Sequence, residues 1–210
     1  IRDGAAVSTL TKAEISEDRI IRDMVGRDMA HRYPDRTPNI GETLMEVSGW
    51  NVWHPEQKDR QMIKDAGFHV KKGEIVGIAG LMGAGRTELA MSLFGRSYGR
   101  NITGKVTMGG KVADTSSVSK AIDAGLAYVT EDRKSLGLVL EEPIVRNITL
   151  ANLMGVSTRG ILSQRRETQV AEEYRKAMAI RTPGVMQKVV NLSGGNQQKV
   201  VLSKWLFTDP

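Results

Sequence analysis

Gly80-Leu81-Met82-Gly83-Ala84-Gly85-Arg86-Thr87 is the stretch that decides the fold of this chain. It follows an apolar run at residues 75–79, which predicts a strand covered on both faces in a parallel sheet. It precedes residues 87–94, whose spacing is helical. Glycines allow the backbone to fold around a phosphate with its N–H groups inward, and the following helix adds a partial positive charge. The stretch predicts a strand, a phosphate-binding loop and a helix, as in an α/β fold.

The glycine spacing fits the P-loop pattern G-x-x-x-x-G-K-[ST], with Arg86 in the lysine position. Arginine keeps the positive charge but replaces a compact ammonium with a wide planar fork, so nucleotide binding is expected while turnover stays open. Thr87 supplies the hydroxyl that such loops offer to Mg²⁺. A glycine-rich turn without a ligand explains the loop alone about as well. The candidate nucleotide ligands here are Gly80, Gly83, Ala84, Gly85, Arg86, Thr87 and Glu88.

A second glycine motif, Leu192-Ser193-Gly194-Gly195, precedes an apolar helix pattern at residues 200–207. Ser193 offers a hydroxyl, and the two glycines offer unobstructed N–H groups at a helix start, which suits a γ-phosphate. Taken alone, the motif is equally typical of a serine N-cap with two turn glycines. Its position 113 residues after Gly80 (193 − 80) favours nucleotide binding.

Together the two motifs resemble the ATP-binding cassette (ABC) ATPases. Residues 77–89, 128–134 and 191–199 look like the second cassette of the tandem ATPase subunit in bacterial monosaccharide importers of the ribose, galactose and xylose types. Residues 1–4 and 21–27 resemble the end of the first cassette and the entry to the linker. The resemblance implies an α/β P-loop NTPase fold of ABC type, with a mixed β core and a helical subdomain.

The expected domain organisation has three parts. Residues 1–30 are the carboxyl-terminal tail of a preceding cassette, residues 31–41 are a linker that contains Pro34 and Pro38, and residues 42–210 are the second cassette. The helical subdomain is expected at about residues 141–190. The family's Walker B strand and switch histidine are expected beyond residue 210, so no catalytic residue is expected here.

Shorter patterns predict the other elements. Apolar runs predict strands at residues 44–47, 67–70 and 125–129, and a short strand at residues 1–7. The capping-box spacing of residues 11–14 predicts a helix that ends at Gly26. An apolar stripe predicts a further helix; its members are Val170, Ala171, Tyr174, Ala177 and Met178.

The resemblance implies more site residues. Glu131 stands where most cassettes have a glutamine that senses Mg²⁺, and a carboxylate can also bind the ion; the less favoured alternative is a surface charge within residues 131–134. Trp53 is preferred over Trp50 as the aromatic ring that stacks on adenine, although strand packing explains either. The signature residues that would contact the nucleotide of the other cassette are Ser193, Gly194, Gly195 and Gln197.

Composition excludes several other classes of function. The 210 residues carry a formal charge of +6 and contain no cysteine, which excludes a disulfide scaffold, a thiolate zinc site, an iron–sulfur cluster and a cysteine nucleophile. No apolar stretch is long enough for a membrane helix. The basic residues are spread along the chain without an aromatic ladder, which favours a solvated surface over a nucleic-acid groove.

The expected function is that of the ATP-binding subunit that energises sugar import through an ABC transporter, with ATP and Mg²⁺ as cofactors. Its expected partners are membrane permease subunits, the first cassette of the same polypeptide and, indirectly, a periplasmic sugar-binding protein, but no nucleic acid. Its expected place is the cytoplasmic face of the inner membrane, as a peripheral protein. The complete protein is expected to be an ATPase, while the isolated chain is expected to lack activity and to expose an apolar sheet edge. The alternative is a non-hydrolytic regulatory cassette that partners a competent first cassette.

Overall fold

The computed structural model describes residues 5–25 and 36–210. The chain divides into two compact units, Ile1–Asn39 and Ile40–Pro210. The predicted strand at residues 1–7 and the predicted linker fall partly outside the described residues, and the predicted helix stop at Gly26 falls wholly outside them.

The first unit contains one described helix, α1 (Glu17–Val25). Half of the predicted capping box forms: the backbone N–H and the hydroxyl of Thr11 both donate to the Glu14 carboxylate, at 2.9 Å and 2.6 Å, whereas the Glu14 N–H donates to the Thr11 carbonyl at 3.0 Å and not to the hydroxyl. These bonds lower the pKa of Glu14. However, they close a turn ahead of the helix, so the predicted start at Thr11 is wrong. Ser16 caps α1 instead, by accepting the Arg19 N–H at 3.3 Å.

The second unit begins with a four-stranded antiparallel sheet in the order β2-β1-β3-β4. Its strands are β1 (Thr43–Trp53), β2 (Gln61–Lys71), β3 (Arg100–Met108) and β4 (Lys111–Val112). The predicted strands at residues 44–47 and 67–70 lie inside β1 and β2, so they are confirmed. The buried face of this sheet packs on helix α2 (Arg86–Leu93), with Val47, Trp50, Val52, Ile63, Leu93 and Val106 at its core.

Helices dominate the rest of the unit. They are α3 (Val118–Asp123), a π-helical turn (Arg133–Gly137), α4 (Ile144–Thr149), a 3-10 segment (Leu150–Val156), α5 (Gln164–Ala177), a 3-10 turn (Val189–Asn191) and α6 (Gly194–Leu206). A small hairpin, β5 (Ser157–Thr158) and β6 (Ile161–Leu162), precedes α5. Buried side chains of α4, α5 and α6 form a second core.

The stripe predicted on α5 is largely confirmed. Val170, Ala171, Tyr174 and Met178 all belong to the second core or pack against it. Ala177 is exposed at the last turn of α5, so it does not contribute to the buried face. Within residues 5–25 and 36–210, no helix is both long enough and apolar enough to cross a membrane.

Two predicted strands are wrong. Neither residues 75–79 nor residues 125–129 form a strand in the described structure, and both segments leave apolar side chains in solvent. Ile75 is 80% exposed and Val129 is 51% exposed. A buried parallel strand requires hydrogen-bonded neighbours on both sides, and no described strand pairs with either segment. Because neither segment is a strand, the exposed apolar sheet edge predicted from the sequence is not formed, although the apolar side chains themselves are exposed.

Candidate nucleotide-binding site

The P-loop, residues 80–87, turns sharply into α2. Ala84 N–H donates to the Leu81 carbonyl at 3.0 Å, and Leu89 N–H donates to the Gly85 carbonyl at 2.8 Å. Gly83 and Gly85 have φ angles of 79° and 88°, in the left-handed region that favours glycine. Gly85 is also packed, since an added Cβ would lie 3.2 Å from Ile63 Cδ1. The loop therefore needs glycine for two separate reasons.

The amino terminus of α2 is open to an anion. No side chain in the described structure caps this helix, so its first N–H groups remain available. The Arg86 side chain is exposed and folds back toward the start of the loop, because an added Cβ at Gly80 would lie 3.6 Å from Arg86 Cδ. Positive charge and free N–H groups therefore occur at the same helix start. Glu88 lies in the first turn of α2 and is partly buried.

The two residues predicted to bind Mg²⁺ meet in space, although they are 44 positions apart. The Thr87 hydroxyl donates to Glu131 Oε2 at 3.2 Å. Both residues line a cleft of about 410 Å³, which Tyr128, Asp132 and Leu136 complete. A carboxylate and a hydroxyl are oxygen ligands of the kind that Mg²⁺ prefers, with phosphate oxygens and waters filling its other positions. The residues present therefore fit a nucleotide-bound Mg²⁺.

Asp132, the other carboxylate of this cleft, is engaged through one of its oxygens. Its Oδ1 accepts the Lys134 N–H at 2.9 Å and the Ser135 N–H at 3.2 Å, and so caps the π-helical turn. Hydrogen bonding from the Ser135 hydroxyl, and then from the backbone N–H groups of Ser135 and Lys134, lowers the pKa of Asp132. Nowhere in the described residues do three or more histidine, cysteine or acidic side chains gather as a metal site. The observed pair of neighbouring oxygen ligands at this cleft is therefore that of Thr87 and Glu131.

The signature motif, Leu192 to Gly195, lies at the start of α6. Ser193 is the N-cap residue, and its hydroxyl accepts from Asn196 Nδ2 at 2.9 Å. Ser193, Gly194 and Gly195 are all exposed. An added Cβ at Gly195 would meet no described atom within 4 Å, whereas one at Gly194 would lie 2.8 Å from Arg133 Nη2. The motif presents an open helix start with one arginine beside it.

The structure places Gln197 away from that open surface. Only 5% of Gln197 is exposed, and its Nε2 donates to the carbonyls of Val189 and Leu192, both at 3.3 Å. Its Oε1 accepts from Arg133 Nε at 3.3 Å. Gln197 therefore fixes the chain around the signature motif from inside. The predicted grouping of its side chain with Ser193 as a nucleotide contact needs correction, because every polar atom of the amide bonds to protein.

The two tryptophans of β1 differ in how deeply they are buried. Trp50 is fully buried, and its Nε1 donates to the Ser92 hydroxyl of α2 at 2.9 Å, so it is a core residue. Trp53 is only partly buried and ends β1, where it pairs with Gln61 and Arg100. Trp53 therefore remains the candidate for stacking on adenine, as predicted.

Sequence reasoning missed two cations that organise the site. Arg133 contacts the signature motif as described above, and Lys204 is buried in α6, where its Nζ donates to the Gly137 carbonyl at 2.6 Å. Burial lowers the pKa of Lys204. Lys204 offered a signal in the sequence, since it lies within the largely apolar run at residues 200–207, next to Trp205. Arg133 offered none beyond its charge, because its partners are distant in sequence.

The comparisons with known proteins show the family of the chain. The family model described as "ABC transporter" matches residues 63–210, well over half of the chain. The chain therefore belongs to the ABC transporter family.

Curated relatives indicate which group of ABC transporter proteins this chain resembles. The L-arabinose transport ATP-binding protein AraG of Geobacillus stearothermophilus is 54% identical over 100% of this chain and 41% of its own length. The xylose import ATP-binding protein XylG of Thermoanaerobacter pseudethanolicus is 43% identical, and the ribose import ATP-binding protein RbsA of Bacillus subtilis is 39% identical, each with the same coverage. The chain thus spans about two fifths of these relatives, and the predicted resemblance to monosaccharide importer ATPases is confirmed.

Solved structures give the fold. A dimeric ATP-binding cassette bound to ADP and Pi superimposes with a TM-score of 0.62 at 18% identity, covering 80% of this chain and 71% of that one. An ATP-binding cassette of an ABC transporter in its ADP conformation also has a TM-score of 0.62, at 15% identity, covering 81% and 66%. The predicted ABC-type P-loop fold is confirmed.

Proposed function

We propose that this chain is an ATP-binding cassette of the subunit that energises monosaccharide import through an ABC transporter. The observation that carries the proposal is the contact between Thr87 and Glu131 beside the open start of α2. It places a hydroxyl and a carboxylate next to a loop suited to phosphate. The names of the curated relatives supply the class of transported solute.

Each residue has a distinct task in this proposal. The N–H groups at the start of α2 and the Arg86 guanidinium hold phosphate oxygens, and Trp53 stacks on adenine. Thr87 and Glu131 are the residues that would hold Mg²⁺, and the ion when bound would neutralise charge on the phosphates. Glu131 adds a negative charge near the γ-phosphate, so nucleotide affinity should depend strongly on the metal.

The signature motif serves a different nucleotide. In the proposed assembly two cassettes meet head to tail, so Ser193, Gly194 and Gly195 contact the ATP held by the first cassette of the same polypeptide. Residues 1–30 are then the tail of that first cassette, residues 31–41 the linker, residues 42–210 the second cassette and about 141–190 its helical subdomain. The catalytic carboxylate and the switch histidine of the complete protein are proposed to follow residue 210.

The proposed partners follow from the same assembly. The cassette would lie on the cytoplasmic face of the inner membrane as a peripheral protein, against permease subunits that receive sugar from a periplasmic binding protein. Nucleic acid is not among the proposed partners. Filter binding of the complete protein to DNA and RNA at physiological salt should therefore give no retention above that of a non-binding control protein.

A second candidate function is favoured by Arg86. Because the wide guanidinium replaces the lysine of the P-loop pattern, this cassette would hold ATP without hydrolysing it and would regulate a competent first cassette. Phosphate release by the complete protein separates the two functions. If this site hydrolyses ATP, Arg86→Ala should remove its share of phosphate release, whereas Arg86→Lys should preserve or raise it. If the site only regulates, the first cassette alone hydrolyses ATP, so the first turnover should release one phosphate per protein molecule. Arg86→Lys should then leave that amount unchanged.

A further inference from the structure

The loop between β1 and β2, residues 54–60, is held by the side chain of its first residue. His54 Nδ1 accepts the backbone N–H groups of Glu56 and Gln57, at 3.1 Å and 3.0 Å. The His54 N–H donates to the Arg60 carbonyl at 2.8 Å and so closes the loop at its other end. A side-chain acceptor for the N–H groups of the residues that follow it arranges the backbone as an Asx turn does. The imidazole therefore fixes the conformation of this loop.

The same imidazole contacts the segment that leads into β3. Its ring lies edge-on to the Tyr98 ring, with centroids 6.4 Å apart. Tyr98 is partly buried and packs against the core of the sheet. Burial raises the pKa of Tyr98, and the negative charge of Glu88 in the first turn of α2 also raises it. Tyr98 is therefore close enough to the P-loop helix for a charge in its first turn to act on the phenol.

Trp53, the candidate for stacking on adenine, lies between the two segments that His54 contacts. In the sheet Trp53 pairs with Gln61 of β2 on one side and with Arg100 of β3 on the other. The loop that His54 fixes leads directly into Gln61, and Tyr98 comes shortly before Arg100. His54 therefore constrains the entry to both strands that flank Trp53.

The segment before β3 is packed closely against β1 beside Trp53. Gly99 has a φ angle of 87°, and an added Cβ there would clash with Val52 Cγ1 and lie 3.0 Å from the Trp53 carbonyl oxygen. Because contacts of this density leave little free space, a displacement of Tyr98 would also displace the backbone of Trp53.

We propose that His54 is a positioning residue for the nucleobase, which acts by fixing Trp53 before the nucleotide arrives. Without the bonds to Nδ1, the loop and the partly buried indole would have to be ordered on binding, and that cost would lower ATP affinity. The proposal rests on the proposed nucleotide function, and His54 acts through Trp53 rather than by touching ATP. The phosphates are held by the P-loop, so their binding should not depend on His54.

The test compares ATP with inorganic tripolyphosphate, which has the phosphates and lacks the adenosine. In the complete protein both compete with a photo-crosslinked ATP analogue whose attachment is mapped to this P-loop. His54→Gln should weaken ATP about tenfold, on the scale of the cost of ordering one large side chain, and should leave tripolyphosphate within about twofold. His54→Asn should bind ATP within about threefold of wild type. The asparagine oxygen replaces Nδ1 as acceptor, whereas the glutamine oxygen lies one atom further along the side chain.

His69→Gln is the matched control. His69 is exposed on β2, and its side chain makes no hydrogen bond or ion pair within residues 5–25 and 36–210. This substitution should change neither affinity. Wild-type ATP affinity in His54→Gln, an equal loss in His54→Asn, or a parallel loss of tripolyphosphate would overturn the proposal.

A Trp53→Ala background tests whether His54 acts through the indole. There His54→Gln should cost no further ATP affinity, and a full additional loss would overturn the proposal. If His54→Gln melts early, His54→Phe replaces it in every comparison, because it keeps a ring against Tyr98 and lacks the acceptor. A selective loss of ATP in His54→Phe supports the proposal, and wild-type ATP affinity overturns it. Wild-type protein that binds neither ligand at this P-loop would instead refute the proposed function.

Discussion

The P-loop and the signature motif use the same sequence device and differ in how they are anchored. Both place glycines at the start of a helix. The P-loop remains exposed apart from Gly85, which is buried, and Thr87, which is partly buried, and its helix is tied to the sheet through Trp50 and Ser92. The signature motif is supported from the protein interior by the buried side-chain amide of Gln197 and by Arg133. A loop that must wrap around a ligand keeps its polar groups free, whereas a surface that must be presented to another nucleotide is fixed in advance.

The largest expected effect comes from removing Trp50, the residue that anchors the P-loop helix to the sheet. Trp50→Ala should cost about 3–5 kcal/mol of unfolding free energy, because it empties a fully buried site between β1 and α2. Amide hydrogen exchange over α2 in the complete protein measures this cost locally. Trp50→Phe is the control: it keeps most of the volume and loses the bond to Ser92, so its cost should be about 1 kcal/mol. Equal exchange rates in the two variants would contradict the claim that packing of the Trp50 ring anchors α2.

The next effect tests the support of the signature motif. Gln197→Ala should cost about 2 kcal/mol, because it leaves the Val189 and Leu192 carbonyls and the Arg133 Nε without their partner. The measurement is the exchange protection of α6. Gln198→Ala is the matched control, since Gln198 is the exposed neighbour on the same helix. If both alanine variants lose protection equally, Gln197 is not the anchor.

A smaller effect is expected at the metal-facing side of the P-loop. Thr87→Ala should lower Mg²⁺-dependent ATP affinity about tenfold, or about 1.4 kcal/mol, because the hydroxyl is lost. Thr87→Ser keeps the hydroxyl and should bind nearly as the wild type does. Titration of a fluorescent ATP analogue with and without Mg²⁺ gives both numbers. An equal loss in Thr87→Ala without Mg²⁺ would show that Thr87 acts through the loop rather than the metal.

The smallest effect is a pH dependence at the far end of α6. Burial lowers the pKa of Lys204 below the ordinary 10.5. The unfolded chain therefore binds the proton more tightly than the folded chain, so Lys204 should make stability rise as the pH increases from the folded pKa toward 10.5. Lys204→Met should remove this contribution. Denaturant titrations of both proteins at a series of alkaline pH values give the slope of the unfolding free energy against pH for each. Identical slopes would contradict the contribution of Lys204.

Much of this comparison could be predicted from local sequence. Glycine spacing predicts the P-loop turn and the start of α6, since positive φ and an open helix start are local properties. Apolar composition also suggests a strand at residues 75–79, but pairing depends on neighbours that no described strand supplies. The contact between Thr87 and Glu131 and the burial of Gln197 depend on how distant segments pack, so only the structure shows them.

The central claim is that the P-loop holds ATP and Mg²⁺ with help from Glu131. The most direct measurement is the gain in ATP affinity that Mg²⁺ produces at this site, read in the complete protein by crosslinking of an ATP analogue mapped to the P-loop. We expect Glu131→Ala to shrink that gain several-fold while leaving affinity without Mg²⁺ unchanged or slightly higher, because a negative charge near the phosphates is removed. An undiminished gain in Glu131→Ala would contradict the claim.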